Sequence, residues 1–131
     1  LAIHKFMRRM MDGIPLDIYG DGTMERDYTF VSDVVEGLWD AALAIPKHGY
    51  KVWNLGNSLP VQLLPLVHAI EETMGLKKGS HPLNFVPVPE GDVARTCADV
   101  SEASYDLGYA PSVTLKEGLA AEWRWLLKQT K

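Results

Sequence analysis

The sequence predicts an α/β fold of about five helices and a few short strands. Five segments carry apolar residues at three- and four-residue spacing, the period of a helix with one buried face. Between them lie short runs of apolar, β-branched and aromatic residues bounded by glycine or proline, as in strands. The chain has 131 residues, 47% hydrophobic and 23% charged. This length and composition suit one core-forming domain over residues 1–131.

The first helix is predicted over residues 2–12, and Gly13 stops its pattern. Its apolar face consists of Ile3, Phe6, Met7 and Met10. A short strand, Leu16–Tyr19, follows and ends in a glycine turn. Because the helical pattern already runs at Leu1, with no methionine before it, we expect the chain to be a fragment of a longer protein.

The second helix is predicted over residues 33–44. Asp33 and Glu36 give it a start like a capping box, and Pro46 is expected to end it. Residues 50–55 are rich in aromatic and β-branched types and therefore predict a strand.

The third helix has an apolar stripe and ends at Gly75. The stripe consists of Leu63, Val67, Ile70 and Met74. Residues 83–88 are punctuated by proline, which favours an edge strand.

A short helix over residues 101–107 is expected to be capped by Ser101, with Val100 and Tyr105 as a hydrophobic staple. The last helix opens with a capping box formed by Thr114 and Glu117.

Several classes of protein and site do not fit this sequence. The net charge of −4 argues against a nucleic-acid binder. No apolar run reaches membrane-spanning length, and no signal peptide is recognisable. Cys97 is the only cysteine, which favours a reduced, cytoplasmic setting. The four histidines have no metal-ligand spacing with one another or with Cys97, so we predict no metal site.

The first chemically suggestive stretch joins a glycine turn, Gly20–Asp21–Gly22, to Arg26 and then to a helix start at Asp33. A guanidinium between a glycine turn and a helix N-terminus suits a phosphate, which it grips through parallel N–H bonds. The alternative is that Arg26 pairs on the surface with a nearby acid, since exposed ion pairs are common and weak.

The second stretch contains Asp92 and Arg95 behind a glycine. A carboxylate that accepts two vicinal hydroxyls commonly holds a ribose, and the arginine suits a phosphate. A surface ion pair between Asp92 and Arg95 explains the spacing equally well.

Both stretches resemble a known family. Residues 20–34 read Gly-Asp-Gly-x-x-x-Arg-Asp-Tyr-x-x-Val-x-Asp-Val, and residues 91–99 read Gly-Asp-Val-x-x-x-x-Ala-Asp. These motifs are similar to those in the C-terminal lobe of NAD-dependent nucleotide-sugar epimerases and dehydratases, the extended short-chain dehydrogenases/reductases. UDP-glucuronate 4-epimerases are the most alike.

The resemblance implies a role for each candidate substrate-binding residue. Arg26 would contact the nucleotide diphosphate and Asp92 the ribose hydroxyls of UDP. Arg95 would assist on the phosphate side. The backbone around Asp17 and Tyr19 would read the edge of the uracil.

The family's catalytic signatures are missing. The chain contains no Gly-x-x-Gly-x-x-Gly loop, and no tyrosine has a lysine four residues later. We therefore assign no catalytic and no cofactor-binding residue, and expect the fragment alone to be inactive. NAD would be bound by a missing N-terminal lobe of the parent epimerase. A 4,6-dehydratase or decarboxylase of the same family, or a non-catalytic nucleotide-binding module, remains an alternative.

The resemblance also bears on assembly. In this family, the segments corresponding to residues 33–44 and 52–55 pack against the dinucleotide-binding lobe. Without that lobe they would expose apolar surface. We therefore expect a homodimer or a self-associating fragment, with a UDP-sugar as the small-molecule partner.

Overall fold

The computed structural model describes residues 2–129, which form five helices and four short strands. The helices are α1 (Ala2–Met11), α2 (Val31–His48), α3 (Leu63–Thr73), α4 (Ser101–Leu107) and α5 (Leu115–Gln129). The strands are β1 (Leu16–Tyr19), β2 (Glu25–Asp27), β3 (Pro60–Gln62) and β4 (Leu83–Val86). Five helices with a few short strands are the α/β architecture that the sequence predicts.

The hydrophobic core lies where α1, α3 and α5 pack together with β1. Its buried side chains are Phe6, Met7, Met10, Leu16, Ile18, Leu66, Val67, Ile70, Leu119 and Leu126. Burial of each large apolar side chain stabilises the fold by about 1.5–3 kcal/mol before entropy is counted. The predicted apolar faces of the first and third helices both contribute to this core, together with Leu119 and Leu126 of the last helix.

Two small sheets connect the core to the loops. β1 pairs with β4 in parallel, and β2 pairs with β3 in antiparallel register. On β1, Leu16 and Ile18 are fully buried, whereas Asp17 and Tyr19 point to the other face. β4 is an edge strand of its two-stranded sheet, as its proline flanks predict.

The second helix differs from the prediction at both ends. α2 begins at Val31 and its N-cap residue, Phe30, makes no side-chain cap bond. Asp33 is buried and accepts N–H bonds from the distant loop before α5, so it forms no capping box with Glu36. Pro46 does not end α2. It lies in the last turn, and the helix continues to His48.

The predicted strand at residues 50–55 is wrong. Within residues 2–129, no strand pairs with this segment. Its side chains instead contact α4. Asp106 Oδ2 accepts hydrogen bonds from Lys51 Nζ at 2.5 Å and from Trp53 Nε1 at 2.8 Å. A strand needs a neighbour to satisfy its backbone, and composition alone does not supply one.

The start of α4 also differs, whereas the start of α5 is as predicted. The N-cap of α4 is Val100, and the Asp99 carboxylate accepts the Ser101 N–H at 3.0 Å. Tyr105 is 92% exposed and forms no staple. At α5, the Thr114 hydroxyl and backbone N–H both donate to Glu117 Oε2, and the Glu117 N–H donates back. The capping box is therefore confirmed.

One face of α2 is apolar and uncovered. The large exposed side chains on this face, which we call the α2 stripe, are Val31, Val35, Leu38, Trp39 and Ile45. Only Asp33 and Gly37 of α2 are buried. Among residues 2–129, no helix is long and apolar enough to cross a membrane.

Candidate functional site

The glycine turn after β1 packs closely against the start of α3. Gly20 and Gly22 adopt φ values of +63° and +81°, which favour glycine. The Leu64 N–H donates to the Gly22 carbonyl at 3.1 Å. A Cβ on Gly22 would lie 2.5 Å from Leu64 Cγ. The second glycine is thus required by both backbone conformation and packing.

Asp21 stabilises this turn with its own side chain. Its Oδ1 accepts the Thr23 hydroxyl at 2.6 Å and the Thr23 N–H at 3.0 Å. These two bonds, the hydroxyl's first, hold the pKa of the Asp21 carboxyl below its usual value. The Asp21 carboxylate therefore supports the turn that leads into β2.

β2 lies between two partners. β3 pairs with it on one side. On the other side, the Glu25 N–H donates to the Ala94 carbonyl at 2.9 Å, and the Thr96 N–H donates to the Glu25 carbonyl at 3.1 Å. This pairing brings the second suggestive stretch of the sequence alongside the first.

Arg26 pairs with Asp92 across this contact. Arg26 Nη2 donates to Asp92 Oδ1 at 2.5 Å, and Nη1 donates to the Glu25 carbonyl at 2.8 Å. The side chains of Arg26 and Asp92 are 27% and 31% exposed. The partner of Arg26 is thus none of the nearby acids that the sequence suggested. It lies 66 residues further along the chain.

Arg95 completes the group. Its Nε donates to Glu25 Oε2 at 2.8 Å, and its side chain is 60% exposed. The alternative pairing of Asp92 with Arg95 is therefore absent, because each residue pairs with a β2 residue instead. We call Glu25, Arg26, Asp92 and Arg95 the β2 cluster. It joins three predicted site residues, and Glu25 is the member that the sequence did not suggest.

Asp17 and Tyr19 lie on β1, which belongs to the other two-stranded sheet. In β1, the N–H groups of Leu16 and Gly20 donate to the β4 side. Hydrogen bonding alternates along a parallel strand, so the backbone of Asp17 and Tyr19 faces the opposite edge. Within residues 2–129 no further strand pairs with that edge.

The Asp17 side chain is engaged on the protein itself. Asn84 Nδ2 donates to Oδ1 at 3.1 Å, and Arg9 Nη1 donates to Oδ2 at 2.7 Å. The Asn84 bond and then the Arg9 bond hold the pKa of the Asp17 carboxyl below its usual value. The Asp17 side chain is therefore bound within the protein, whereas its backbone faces the unpaired edge of β1.

A second residue that the sequence did not suggest is Asp27. Its carboxylate accepts backbone N–H bonds from Asn57, Ser58 and Ala98. Its position between an arginine and a tyrosine gives no sign of this role, because all three donors come from distant loops. The only signal in the sequence is its place in the Arg-Asp-Tyr motif.

Two features bear on metal and dinucleotide binding within residues 2–129. Among residues 2–129, no three histidine, cysteine or acidic side chains are grouped to hold a metal. A dinucleotide pyrophosphate sits where a glycine turn leads from a strand directly into a helix. Here the turn at residues 20–22 leads from β1 into β2, so it is not a turn of that type.

The family model described as GDP-mannose 4,6 dehydratase matches residues 2–121. The chain belongs to this family. Its members include NAD-dependent nucleotide-sugar epimerases and dehydratases, so the predicted kinship is confirmed. The fold class is confirmed as well, because the architecture matches the C-terminal lobe of solved epimerases.

Individual relatives agree with this placement. An uncharacterized protein of Methanocaldococcus jannaschii is 40% identical over 129 residues, covering 98% of this chain and 38% of that protein. A probable UDP-glucuronate 4-epimerase of Rhizobium meliloti is 32% identical, covering 95% of this chain and 41% of the relative.

A solved structure shares the fold over the whole chain. It is UDP-glucuronic acid 4-epimerase from Bacillus cereus in complex with UDP-glucuronic acid and NAD. The TM-score is 0.84 at 32% identity, covering 100% of this chain and 40% of that one. The chain thus spans about two fifths of the length of the family members that it matches.

Proposed function

We propose that this chain binds the UDP part of a nucleotide sugar as the C-terminal portion of an NAD-dependent 4-epimerase similar to UDP-glucuronate 4-epimerase. The observation that carries the proposal is the β2 cluster. It gathers two arginines and two carboxylates from two separate segments at partly exposed positions. Arginines recognise phosphate oxygens, and a carboxylate recognises vicinal hydroxyls.

In this proposal Arg26 holds the diphosphate and Asp92 the ribose. In the structure, the Arg26 guanidinium donates a hydrogen bond to the Asp92 carboxylate. A diphosphate replaces Asp92 as the anionic partner of Arg26, and the ribose hydroxyls become donors to the released carboxylate. The guanidinium has five N–H donors, so it can keep its bond to the Glu25 carbonyl while it binds phosphate. Arg95, the most exposed member, assists on the phosphate side.

The free edge of β1 is proposed to read the base. The backbone of Asp17 and Tyr19 presents N–H donors and carbonyl acceptors there, and the Tyr19 carbonyl also accepts the Gly22 N–H at 3.4 Å. A uracil presents an N–H between two carbonyl oxygens, which matches such an edge. A backbone reader of this kind does not depend on side-chain identity, so we expect substitutions of Tyr19 that retain the strand to leave base recognition intact.

The chemistry is proposed to require residues outside 1–131. The sequence holds neither a Tyr-x-x-x-Lys pair nor a glycine-rich dinucleotide loop. In the parent enzyme NAD would supply the oxidation and reduction at the sugar. The residues of this chain would bind and orient the nucleotide, and the chain alone would be inactive. A single cysteine fits a cytoplasmic setting.

The matched family description favours a second candidate, a nucleotide-sugar 4,6-dehydratase. In this proposal the β2 cluster binds the nucleotide and not the sugar, so the cluster suits either enzyme. The two candidates differ in the nucleotide base that they recognise, uracil in UDP or guanine in GDP. Stronger binding of UDP than of GDP supports the proposal, and the reverse order favours the dehydratase.

Assembly is part of the proposal. The α2 stripe is an exposed apolar surface of the kind that marks an interface. We propose that it is covered in the parent enzyme, and that two copies of this chain associate through it when nothing else covers it.

The test is a calorimetric titration of UDP into the chain and into Arg26→Ala. We expect the substitution to weaken binding by about 1.5–3 kcal/mol, the size of a charged hydrogen bond. Arg124→Ala is the control, since it removes the same charge from an exposed position on α5. Equal UDP affinity in the wild type and Arg26→Ala would remove Arg26 from the site.

A further inference from the structure

Asp27 is bonded to two distant segments of the chain. It follows Arg26 on β2, and its Oδ1 accepts the Asn57 N–H at 3.2 Å. Its Oδ2 accepts the N–H groups of Ser58 and Ala98, each at 3.0 Å. An ionised carboxylate is an acceptor only, with about four lone-pair sites, so three backbone donors nearly saturate it. Asp27 thus has a structural role in a site where its neighbour Arg26 is the candidate ligand contact.

The two segments that meet at Asp27 are also in close contact with each other. A Cβ on Gly56 would lie 2.2 Å from the Ala98 Cβ and 3.0 Å from Asp27 Oδ2. Ser58 adopts a positive φ of 56°, and its hydroxyl donates to the Ala98 carbonyl at 2.6 Å. A non-glycine residue in this conformation persists only where its surroundings hold it. The junction is therefore tightly specified.

The segment that carries Asp92 and Arg95 leads directly into this junction at Ala98. Residues 87–97 are all exposed, so no buried side chain anchors them. Polar bonds to β2 hold the segment instead. Near Asp27 they are the backbone pairing of Thr96 with Glu25, the bond from the Asp27 N–H to Thr96 Oγ1 at 3.2 Å, and the Ala98–Asp27 bond. The Ala94–Glu25, Asp92–Arg26 and Arg95–Glu25 bonds described above add to them.

We propose that Asp27 is a positioning residue of the ligand site. It docks residues 92–98 on β2 and thereby sets the separation of Asp92 and Arg95 from Arg26. Asp27 acts through the backbone and does not itself contact the ligand, because its oxygens face the N–H groups of the two loops. The nature of the ligand rests on the function proposed above, whereas the docking itself does not.

The test compares Asp27→Asn with Asp33→Asn. An asparagine at position 27 keeps the shape of the side chain. Its NH₂ group would, however, face backbone N–H groups, so a donor would meet a donor and one hydrogen bond would be lost. Asp33 is the control, because its carboxylate also holds backbone N–H groups, those of Ser112 and Val113, which belong to a different loop. A general loss of stability from removing a loop-binding carboxylate would appear in both variants. A specific loss of UDP binding would appear only in Asp27→Asn.

Two measurements are made on each variant. UDP affinity is measured by titration, and amide hydrogen exchange of Glu25 and Thr96 is measured without ligand, relative to core amides of α3. These two amides bond to backbone carbonyls and not to Asp27, so they report the docking of the segment. We expect Asp27→Asn to weaken UDP binding roughly tenfold or more and to speed exchange at Thr96. Asp33→Asn is expected to leave both unchanged.

A second variant covers the case in which Asp27→Asn does not fold. Thr96→Val removes only the acceptor of the Asp27 N–H at an exposed position. The same two changes are expected in the same direction, but smaller. If the wild type binds UDP and neither variant weakens that binding, the positioning role is overturned.

The two proposals fail in different ways. If the wild-type chain does not bind UDP, the proposed function is contradicted, and the exchange measurement alone decides whether Asp27 docks the segment. If the wild type binds UDP and Asp27→Asn binds it equally well, the positioning role is wrong while the proposed function stands.

Discussion

Arg26 Nη2 lies 2.5 Å from Asp92 Oδ1, joining two residues that are 66 positions apart in the chain. The pair connects the two stretches of sequence that each suggested a nucleotide ligand. Both side chains are about a third exposed, so solvent screens their attraction. We therefore expect the pair to contribute little to the stability of the fold.

The first prediction concerns the stability that this pair contributes. We expect a double-mutant cycle of Arg26→Ala and Asp92→Ala to give a coupling free energy of unfolding below about 1 kcal/mol, the usual range for exposed pairs. Urea denaturation of the four proteins measures it. A coupling of several kcal/mol would mean that the pair is a structural element and not a ligand-binding group.

The second prediction concerns Gly22. Gly22→Ala adds a Cβ that meets Leu64 Cγ at 2.5 Å, at a φ of +81°. We expect a loss of roughly 1–3 kcal/mol in the free energy of unfolding, measured by urea denaturation. Gly79→Ala is the matched control, with a φ of +72° but nothing within 4 Å of the added Cβ.

The difference between these two variants isolates the packing of the turn on α3. Gly22→Ala should also weaken UDP binding, because the turn leads directly into β2. Equal losses of stability in Gly22→Ala and Gly79→Ala would show that backbone conformation alone matters at Gly22.

The third prediction concerns pH. The side-chain hydrogen bond from Lys51, followed by that from Trp53, holds the pKa of the Asp106 carboxyl below its usual value. The folded state thus binds this proton less readily than the unfolded state. The resulting stability is present above the unfolded pKa, near 3.8, and is lost as pH falls through the lower folded pKa.

We therefore expect Asp106→Asn to reduce the acid dependence of the urea midpoint below about pH 4. Asp12→Asn, which removes an exposed carboxylate after α1, is the control. An Asp106→Asn profile parallel to that of the wild type between pH 5 and pH 2 would contradict the prediction.

The fourth prediction concerns self-association through the α2 stripe. Trp39 lies at the centre of the α2 stripe, and its side chain is 66% exposed. We expect the chain to associate with increasing concentration in sedimentation, and Trp39→Glu to shift it toward the monomer. Tyr105→Glu is the control, because Tyr105 is a 92% exposed aromatic outside the stripe. A wild-type monomer over a wide concentration range would count against the interface.

The parts of the fold that local signals determine could be predicted from the sequence. The capping box of Thr114 and Glu117 lies within four residues, and the apolar period of α3 is a property of one helix. Both were predictable because the interacting groups are neighbours in the chain. The family's motifs are also short and local, and they are sufficient to indicate Arg26 and Asp92 as candidate ligand contacts.

The remaining features depend on tertiary contacts. Residues 50–55 have the composition of a strand, but they lie against α4 and pair with no strand in the described part of the chain. Asp33 resembles a helix cap but is bonded to a loop 79 residues away. Asp27 likewise binds backbone groups 30 to 71 residues distant. Every residue except proline carries a backbone N–H, so residue types alone do not predict the partners of Asp33 and Asp27.

A diphosphate site at Arg26 is tested most directly by comparing UDP with uridine in calorimetric titrations of the wild-type chain and Arg26→Ala. We expect saturable one-to-one binding of UDP by the wild type, weaker binding of uridine, and a much smaller difference between the two ligands in Arg26→Ala. Equal affinity of the wild type for UDP and uridine, or no binding of UDP, would contradict a diphosphate site at Arg26.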